Sequence, residues 1–345
     1  MYLRAMCLTL STWLFATATA PQSARAEDSS SATSSGVRSS ESLRITDVAG
    51  EFISFWDKTK NLPDQERVKL FMIEIASKAP DLYENTLFSY CRNVLHADLN
   101  KRIAEQLTAF PMIRNRYEQV YAELSKSMTH YLNRFKGHFS DFRSDDVDVY
   151  IAHSLGGANG AANLVHNRTL FYLGVDMIAI HNDYSNQEPF FDHEFFHVYH
   201  IQKYKLNNHF YSQLWMEGLA TYVAKDLNPE ATNAELMMND DLIARTNKVL
   251  PQLIPEVANN LETLDTDGKL RFKYFNIESK DNKIPPRAGY YIGYLILQQI
   301  AKNTTIAEMT EWQEEKIVPA MRNALKTLAR TNQIDLLPSP TFQLK

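Results

Sequence analysis

Cysteine is almost missing from this chain. Two residues in 345, Cys7 and Cys91, leave no framework of disulfides to staple a fold. Charge of one sign is missing too. The 36 lysines and arginines stand against 41 aspartates and glutamates, with no basic block to track a phosphate backbone, so nucleic acid is not expected as a partner. After residue 20 no stretch is long and apolar enough to reach the ~20 residues that a membrane span needs. What is present is 44% hydrophobic, 11% aromatic and 22% charged, which excludes disordered, collagenous and coiled-coil chains and describes a soluble protein with a real core. At roughly 150 residues per domain, the length fits one large domain or two small ones.

The first 26 residues read as a secretory signal peptide. A short positive start (residues 1–4) is followed by an apolar and small-residue run (5–20) and a small-x-small site at Ala24-Arg25-Ala26, so cleavage is expected after Ala26. Removal takes Arg4, Arg25 and Cys7 with it, leaving 34 basic against 41 acidic residues and a single cysteine, Cys91. No small-residue lipobox precedes Cys7. The mature protein is therefore expected in the periplasm or secreted, without a stable membrane anchor, and held together by its core and a metal. Residues 27–42 are serine-rich and read as a flexible leader.

From residue 43 to about 140 the pattern is helical. Val68, Phe71, Met72, Ile75 and Ala79 share a face between the start signal Pro63-Asp64 and the stop at Pro80. Tyr117, Val120, Tyr121, Leu124, Met128, Tyr131, Leu132 and Phe135 mark a longer helix. Val147, Val149 and Ile151 then alternate as in a strand, a glycine-rich stretch (156–160) intervenes as a turn or flexible loop, and residues 170–180 are β-like, so a small sheet is expected here. Helices are expected again over 191–205, 213–225, 231–250, 288–302 and, as a pair, 305–331.

The chemistry concentrates in Asp192-His193-Glu194-Phe195-Phe196-His197. Residues four apart stack on one helical face, so His193 and His197 can aim at one ion while Glu194, one step round, can reach a water on it. Phe191, Phe195, Phe196, Val198, Tyr199 and Ile201 make this helix apolar nearly all round. Two imidazoles and a carboxylate buried in such a helix need partners, and a zinc ion would satisfy them together. Catalytic zinc takes three protein ligands. His200 lies two turns beyond His193 and could not converge on the same ion. Glu217, in the apolar stretch Trp215-Met216-Glu217-Gly218-Leu219-Ala220, would be brought back by a helical hairpin and is the better third ligand.

H-E-x-x-H followed, 20 residues after its second histidine, by a glutamate in an E-G-hydrophobic-A helix resembles the gluzincin metallopeptidases. The resemblance implies His193, His197 and Glu217 as zinc ligands and Glu194 as general base. Thermolysin-like members place an aspartate four residues after the glutamate ligand, where this chain has Thr221, so the outer partner is expected from Thr221, Asp192 or His200. With Pro286-Arg287-Ala288-Gly289-Tyr290-Tyr291-Ile292-Gly293-Tyr294 added, the motifs between residues 150 and 300 resemble a bacterial family of predicted zinc-dependent proteases carried as a domain of unknown function. Gluzincins often draw an oxyanion donor from a later helix. Tyr290 is the first candidate and Tyr291 the second, with packing beside the two glycines as the alternative role.

A competing motif stands at Ala152-His153-Ser154-Leu155-Gly156-Gly157, which resembles a lipase nucleophile elbow and would make Ser154 the nucleophile of a serine esterase. About a hundred residues of helix precede it, where an α/β-hydrolase would have strand-helix units. Residues 175–180 are the expected edge strand beside the ion, able to pair with an extended peptide.

The expected fold is α+β and mainly helical, with a zincin-like metallopeptidase domain over 141–345 carrying the small sheet, after an N-terminal helical region over 43–140. The expected activity is zinc-dependent hydrolysis of a peptide or protein substrate by an exported enzyme. A serine esterase and a non-catalytic zinc-stabilised binding module are the alternatives.

Overall fold

A computed structural model describes residues 44–93, 96–182, 186–276 and 283–331. The expected signal peptide and leader lie outside these residues. A four-stranded sheet has the order β1-β2-β4-β3, from β1 (Arg44–Asp47), β2 (Val147–Ala152), β3 (Gly160–Val165) and β4 (Arg168–Gly174). β1 runs parallel to β2 and β2 parallel to β4, with Val147 opposite Thr169, while β3 folds back antiparallel on β4. His166 and Asn167, both at positive φ, make the two-residue turn of that hairpin. Asp148 ties three strands together by accepting from Arg44 (2.9 Å) and Arg168 (2.6 Å).

The described residues between β1 and β2 form one long crossover of helices: α1 (Ala49–Thr59), α2 (Asp64–Glu74), α3 (Pro80–Leu82), α4 (Ser89–Asn93), α5 (Leu99–Ala109) and α6 (Arg114–His138), with a π-helical turn over Tyr83–Phe88. α6 buries Tyr117, Val120, Leu124, Met128, Leu132 and Phe135, the stripe its spacing predicts. Phe52 of α1 meets Phe110 edge to face (5.0 Å) and Tyr117 at 5.9 Å, and the His153 ring lies on Phe52 at 4.1 Å. The helical region thus shares one continuous core with the sheet.

Past the sheet come α7 (Val175–His181), α8 (Glu188–Ile201), α9 (Phe210–Leu227), α10 (Asp240–Asn260), α11 (Lys269–Phe275), α12 (Ala288–Ile300), α13 (Ile306–Thr310) and α14 (Glu314–Thr331). α8 is buried from Pro189 to His200 and α9 from Phe210 to Ala224, so both are wrapped by other elements. α9 and α12 approach closely because glycine faces glycine. A Cβ on Gly218 would lie 2.6 Å from the carbonyl carbon of Gly293, and one on Gly293 would lie 2.8 Å from the Leu214 carbonyl oxygen. Among the described residues no helix is long and apolar enough to cross a membrane.

Three sequence expectations are refined or corrected here. Residues 175–180 are not an edge strand: the chain leaves the sheet at Gly174 and coils into α7. The reason lies in Asp176, whose carboxylate accepts the backbone N–H of Ser154 (2.7 Å) and of Gly156 (2.8 Å) and the Ser154 hydroxyl (3.0 Å). A continuing strand would not hold that carboxylate under the loop. The edge role passes to β3. Of the two readings of the glycine-rich stretch, the structure has the turn and not the flexible loop: the Gly157 N–H donates back to the Ser154 carbonyl (3.1 Å), residues 153–156 are buried and pinned by Asp176, and the last glycine, Gly160, opens β3. The helix expected over 231–250 starts later, at Asp240 under the Asn239 cap, and continues through Pro251 and Pro255.

Candidate metal centre

The helical hairpin of α8 and α9 brings His193, His197 and Glu217 to one point, with one ligand atom from each lying within 4.8 Å of the others. His193 Nε2 and His197 Nε2 are 2.9 Å apart, and Glu217 Oε2 lies 3.4 Å and 3.3 Å from them. Donors bonded at about 2.0–2.2 Å around a tetrahedral zinc stand about 3.3–3.5 Å from one another, so the set is sized for such an ion with a small opening of the two imidazoles. All three residues are at most 3% exposed. Glu217 Oε1 accepts from Gln213 Nε2 (3.1 Å), but among the described residues the buried Oε2 facing the imidazoles has no hydrogen-bond partner. A buried carboxylate oxygen left so is costly unless a cation meets it. The residues present therefore fit a zinc ion.

Electrostatics keep the set ready for a cation. Burial, helped by His197, brings His193 down to about 4, so its imidazole is neutral and free to donate a lone pair at physiological pH. Burial alone would raise Glu217, but the facing His197 and His193 outweigh it and hold the carboxyl below its ordinary range. Glu194 is pushed well above the usual carboxylate range by burial and by the Glu217 charge, while Arg287 pulls it back. Such a carboxylate holds a proton far more firmly than one in water does.

α8 is locked in register by the residue before the motif. Asp192 accepts from Arg134 of α6 and from Asn228 Nδ2 (2.7 Å), and Arg134 also donates to the Leu227 carbonyl at 3.1 Å, so α6, α8 and the end of α9 form one polar knot. Tyr131 stacks on Phe191 at 4.1 Å beside it. Asp192 thus faces away from the ligands. Of the other outer-partner candidates, Thr221 Oγ1 lies 3.5 Å from His193 Nδ1 and donates to the Glu217 carbonyl (2.7 Å). His200 sits in the core, stacked on Tyr204 at 5.1 Å, with both ring nitrogens buried and unpartnered among the described residues.

Gly160, the first residue of β3, lies against Glu194: a Cβ there would run into the Glu194 carboxyl. Opposite, the buried Tyr290 ring lies 6.3 Å from the His193 ring, whereas Tyr291 turns away to donate to Asn247 Oδ1 (3.2 Å). Over the Tyr290 ring, at 4.5 Å, stands the Arg287 guanidinium. Sequence reasoning gave Gly160 and Arg287 no part in the site. Both sat inside quoted motifs, but a glycine's partner 34 residues away and the direction of an arginine leave no mark on periodicity.

Ser154 is built differently from an elbow nucleophile. It is 1% exposed, its hydroxyl donates to Asp176, and a Cβ on Gly174 would touch its Oγ, so no space for an acyl group adjoins it. The neighbouring His153 accepts from Leu155 N–H (3.1 Å) and packs among Phe52, Phe110 and Tyr117.

Residues 168–319 match the model of a family described as predicted Zn-dependent protease (DUF2268). The matched segment runs from the start of β4 into α14 and takes in all of α8, α9 and α12. This is the kind of family that the H-E-x-x-H, M-E-G-L-A and G-Y-x-x-G-Y motifs resemble. No curated protein and no solved structure compared with the chain matches it.

Proposed function

We propose that the protein is an exported zinc-dependent metallopeptidase. The observation that carries this reading is the buried group of His193, His197 and Glu217 with an unpartnered carboxylate oxygen at its centre and Glu194 beside it. Zinc bound there supplies Lewis acidity, polarising a carbonyl oxygen and bringing water within reach of deprotonation near neutral pH. The chain's own residues do the rest. Glu194, its affinity for a proton raised by burial, takes the proton of the attacking water and passes it to the leaving amine. Tyr290, held under Arg287 and against Phe275 at 5.5 Å, is the donor to the oxyanion. β3, the sheet's edge, offers its backbone groups to an extended substrate, and Gly160 keeps that strand close to Glu194. The expected signal peptide places this activity outside the cytoplasm.

Metal content by mass spectrometry and turnover of a peptide library test the reading together. Glu194→Gln is expected to keep about one zinc per chain and lose turnover by a factor of about 10² or more. Glu217→Ala is expected to lose the metal, and His200→Ala to keep it. Turnover surviving in Glu194→Gln, or a wild type that takes up no zinc, would overturn it.

A further inference from the structure

A second site adjoins the metal centre and shares a wall with it. It is a cavity of about 300 Å³ lined by His181, Met237, Asp241, Arg245 and Arg287 among others. Its connection to the centre runs along two paths. Met237 touches Asn159 Nδ2 through its sulfur (3.7 Å), and Asn159 leads directly into Gly160 against Glu194. Arg287 covers Tyr290, and its charge is felt at His193, Glu194 and His181.

Among the described residues the charge balance of this cavity is positive. Arg245 is paired with Asp241 (3.4 Å) at the exposed rim, and burial keeps His181 neutral at about 4. Among the described residues Arg287 has no carboxylate partner: its guanidinium stands over the Tyr290 ring, and its Nε is buried without a hydrogen bond. Leaving a guanidinium N–H dry is unfavourable, and a planar anion accepting from the fork would remove the penalty. The backbone adds an independent sign. Arg287 sits at φ +65°, in the left-handed region, as the residue before α12. Glycine would take that conformation without strain, so an arginine is held there against its backbone preference.

We infer that Arg287 is the specificity-determining residue of the site and that it selects substrates presenting a carboxylate next to the scissile bond. The carboxylate enters the cavity beyond the start of β3 and meets the guanidinium, while Tyr290 beneath it stays oriented toward the centre. Two sources share this chemistry, a peptide's free C-terminus and an acidic side chain. The inference rests on the peptidase reading for what carries the carboxylate.

Calorimetric titration of the zinc-loaded Glu194→Gln protein separates these sources without needing turnover. The probes are four N-acetylated alanine tetrapeptides: one with a free C-terminus, its C-terminal amide, and two amidated versions ending in glutamate or glutamine. Binding at least tenfold tighter to the free acid than to the amide assigns the terminus, and the same preference for glutamate over glutamine assigns the side chain. Adding Arg287→Gly is expected to abolish the preference with no fall in Tm, since the backbone strain is relieved. Equal binding of charged and neutral peptides, no binding of any of the four, or a preference that survives Arg287→Gly overturns the inference. Wild-type cleavage with no charge preference overturns it and leaves the peptidase reading standing. Charge-selective binding with no cleavage by the wild type sinks the peptidase reading and leaves the anion site.

Discussion

Gly160 shows how much of this site depends on what a residue does not have. A methyl there would occupy the place of the Glu194 carboxyl, so one of them must move. Gly160→Ala is expected to keep the metal, whose three ligands it does not touch, and to cut turnover by about 10²-fold, because a shift of about 1 Å in a proton-transferring group has that effect. Zinc content and kcat, measured side by side, check this. Asp226, in the last turn of α9, offers a test at the same scale. Its Oδ2 is buried without a partner among the described residues, and burial raises its carboxyl to about 6. With the folded value above the unfolded one of about 3.9, its contribution to stability is fully present below pH ~4 and is lost as pH rises through about 6. Asp226→Asn should therefore stabilise the protein at pH 8 by about 1 kcal/mol, after allowance for the group's part exposure. Denaturant melts at pH 8 and below pH 4 should show the gain and then its disappearance. Legibility at this scale divides by sequence distance. The i, i+4 spacing of His193 and His197 is written in the chain, and the apolar surroundings of Glu217 point to a hairpin partner. The contacts of Gly160 with Glu194, and of Arg287 with Tyr290, depend on a strand and a loop whose courses no local pattern encodes.

At the scale of elements, the approach of α9 to α12 is set by Gly218 and Gly293, and it fixes how far Tyr290 stands from the hairpin that carries Glu217. Gly218→Ala forces backbone against backbone and is expected to destabilise the protein by about 1–3 kcal/mol, the range for overpacked cores, and to weaken zinc binding as well. Thermal melts and a competitive zinc titration read the two effects. The amphipathic period of α6 and the fully apolar α8 and α9 were visible in sequence because helices of that length average out local exceptions. The short elements were not. Residues 175–180 carry β-branched and apolar types in a run too short to show its period, and the tertiary demand for Asp176 beneath the 153–156 loop decides for helix. β3 hid behind its small residues, Gly160, Ala161 and Ala162, whose lack of bulk is what lets α8 lie so near. The start of α10 was displaced because the residues before its cap, Asn239, include Ala231, Ala234, Leu236, Met237 and Met238, which periodicity alone does not separate from the helix.

The whole molecule hangs together without a covalent staple: Cys91 is a free, buried thiol among the described residues. Stability must come from one core that runs from α1 to α14 and from whatever binds the native state alone. An ion present at a thousand times its dissociation constant would contribute about 4 kcal/mol. A chelator is accordingly expected to lower the Tm of the wild type by several degrees and to leave that of His193→Ala unchanged, which differential scanning calorimetry can follow. The β1–β2 pairing closes the same unit from the other end. A crossover of about a hundred residues returns the chain to a strand beside its first one, so the helical region cannot swing free of the sheet without breaking that ladder.

Burial of the triad also sets a clock. With His193, His197 and Glu217 at most 3% exposed, a bound ion would be held from the protein side by buried ligands, and those ligands let go only when α8 and α9 part. Loss of metal would then be governed by an opening rate of the protein rather than by collision with a competitor. Inactivation by a chelator should follow a single exponential whose rate constant stays the same as the chelator concentration rises, and a brief exposure should leave the enzyme working.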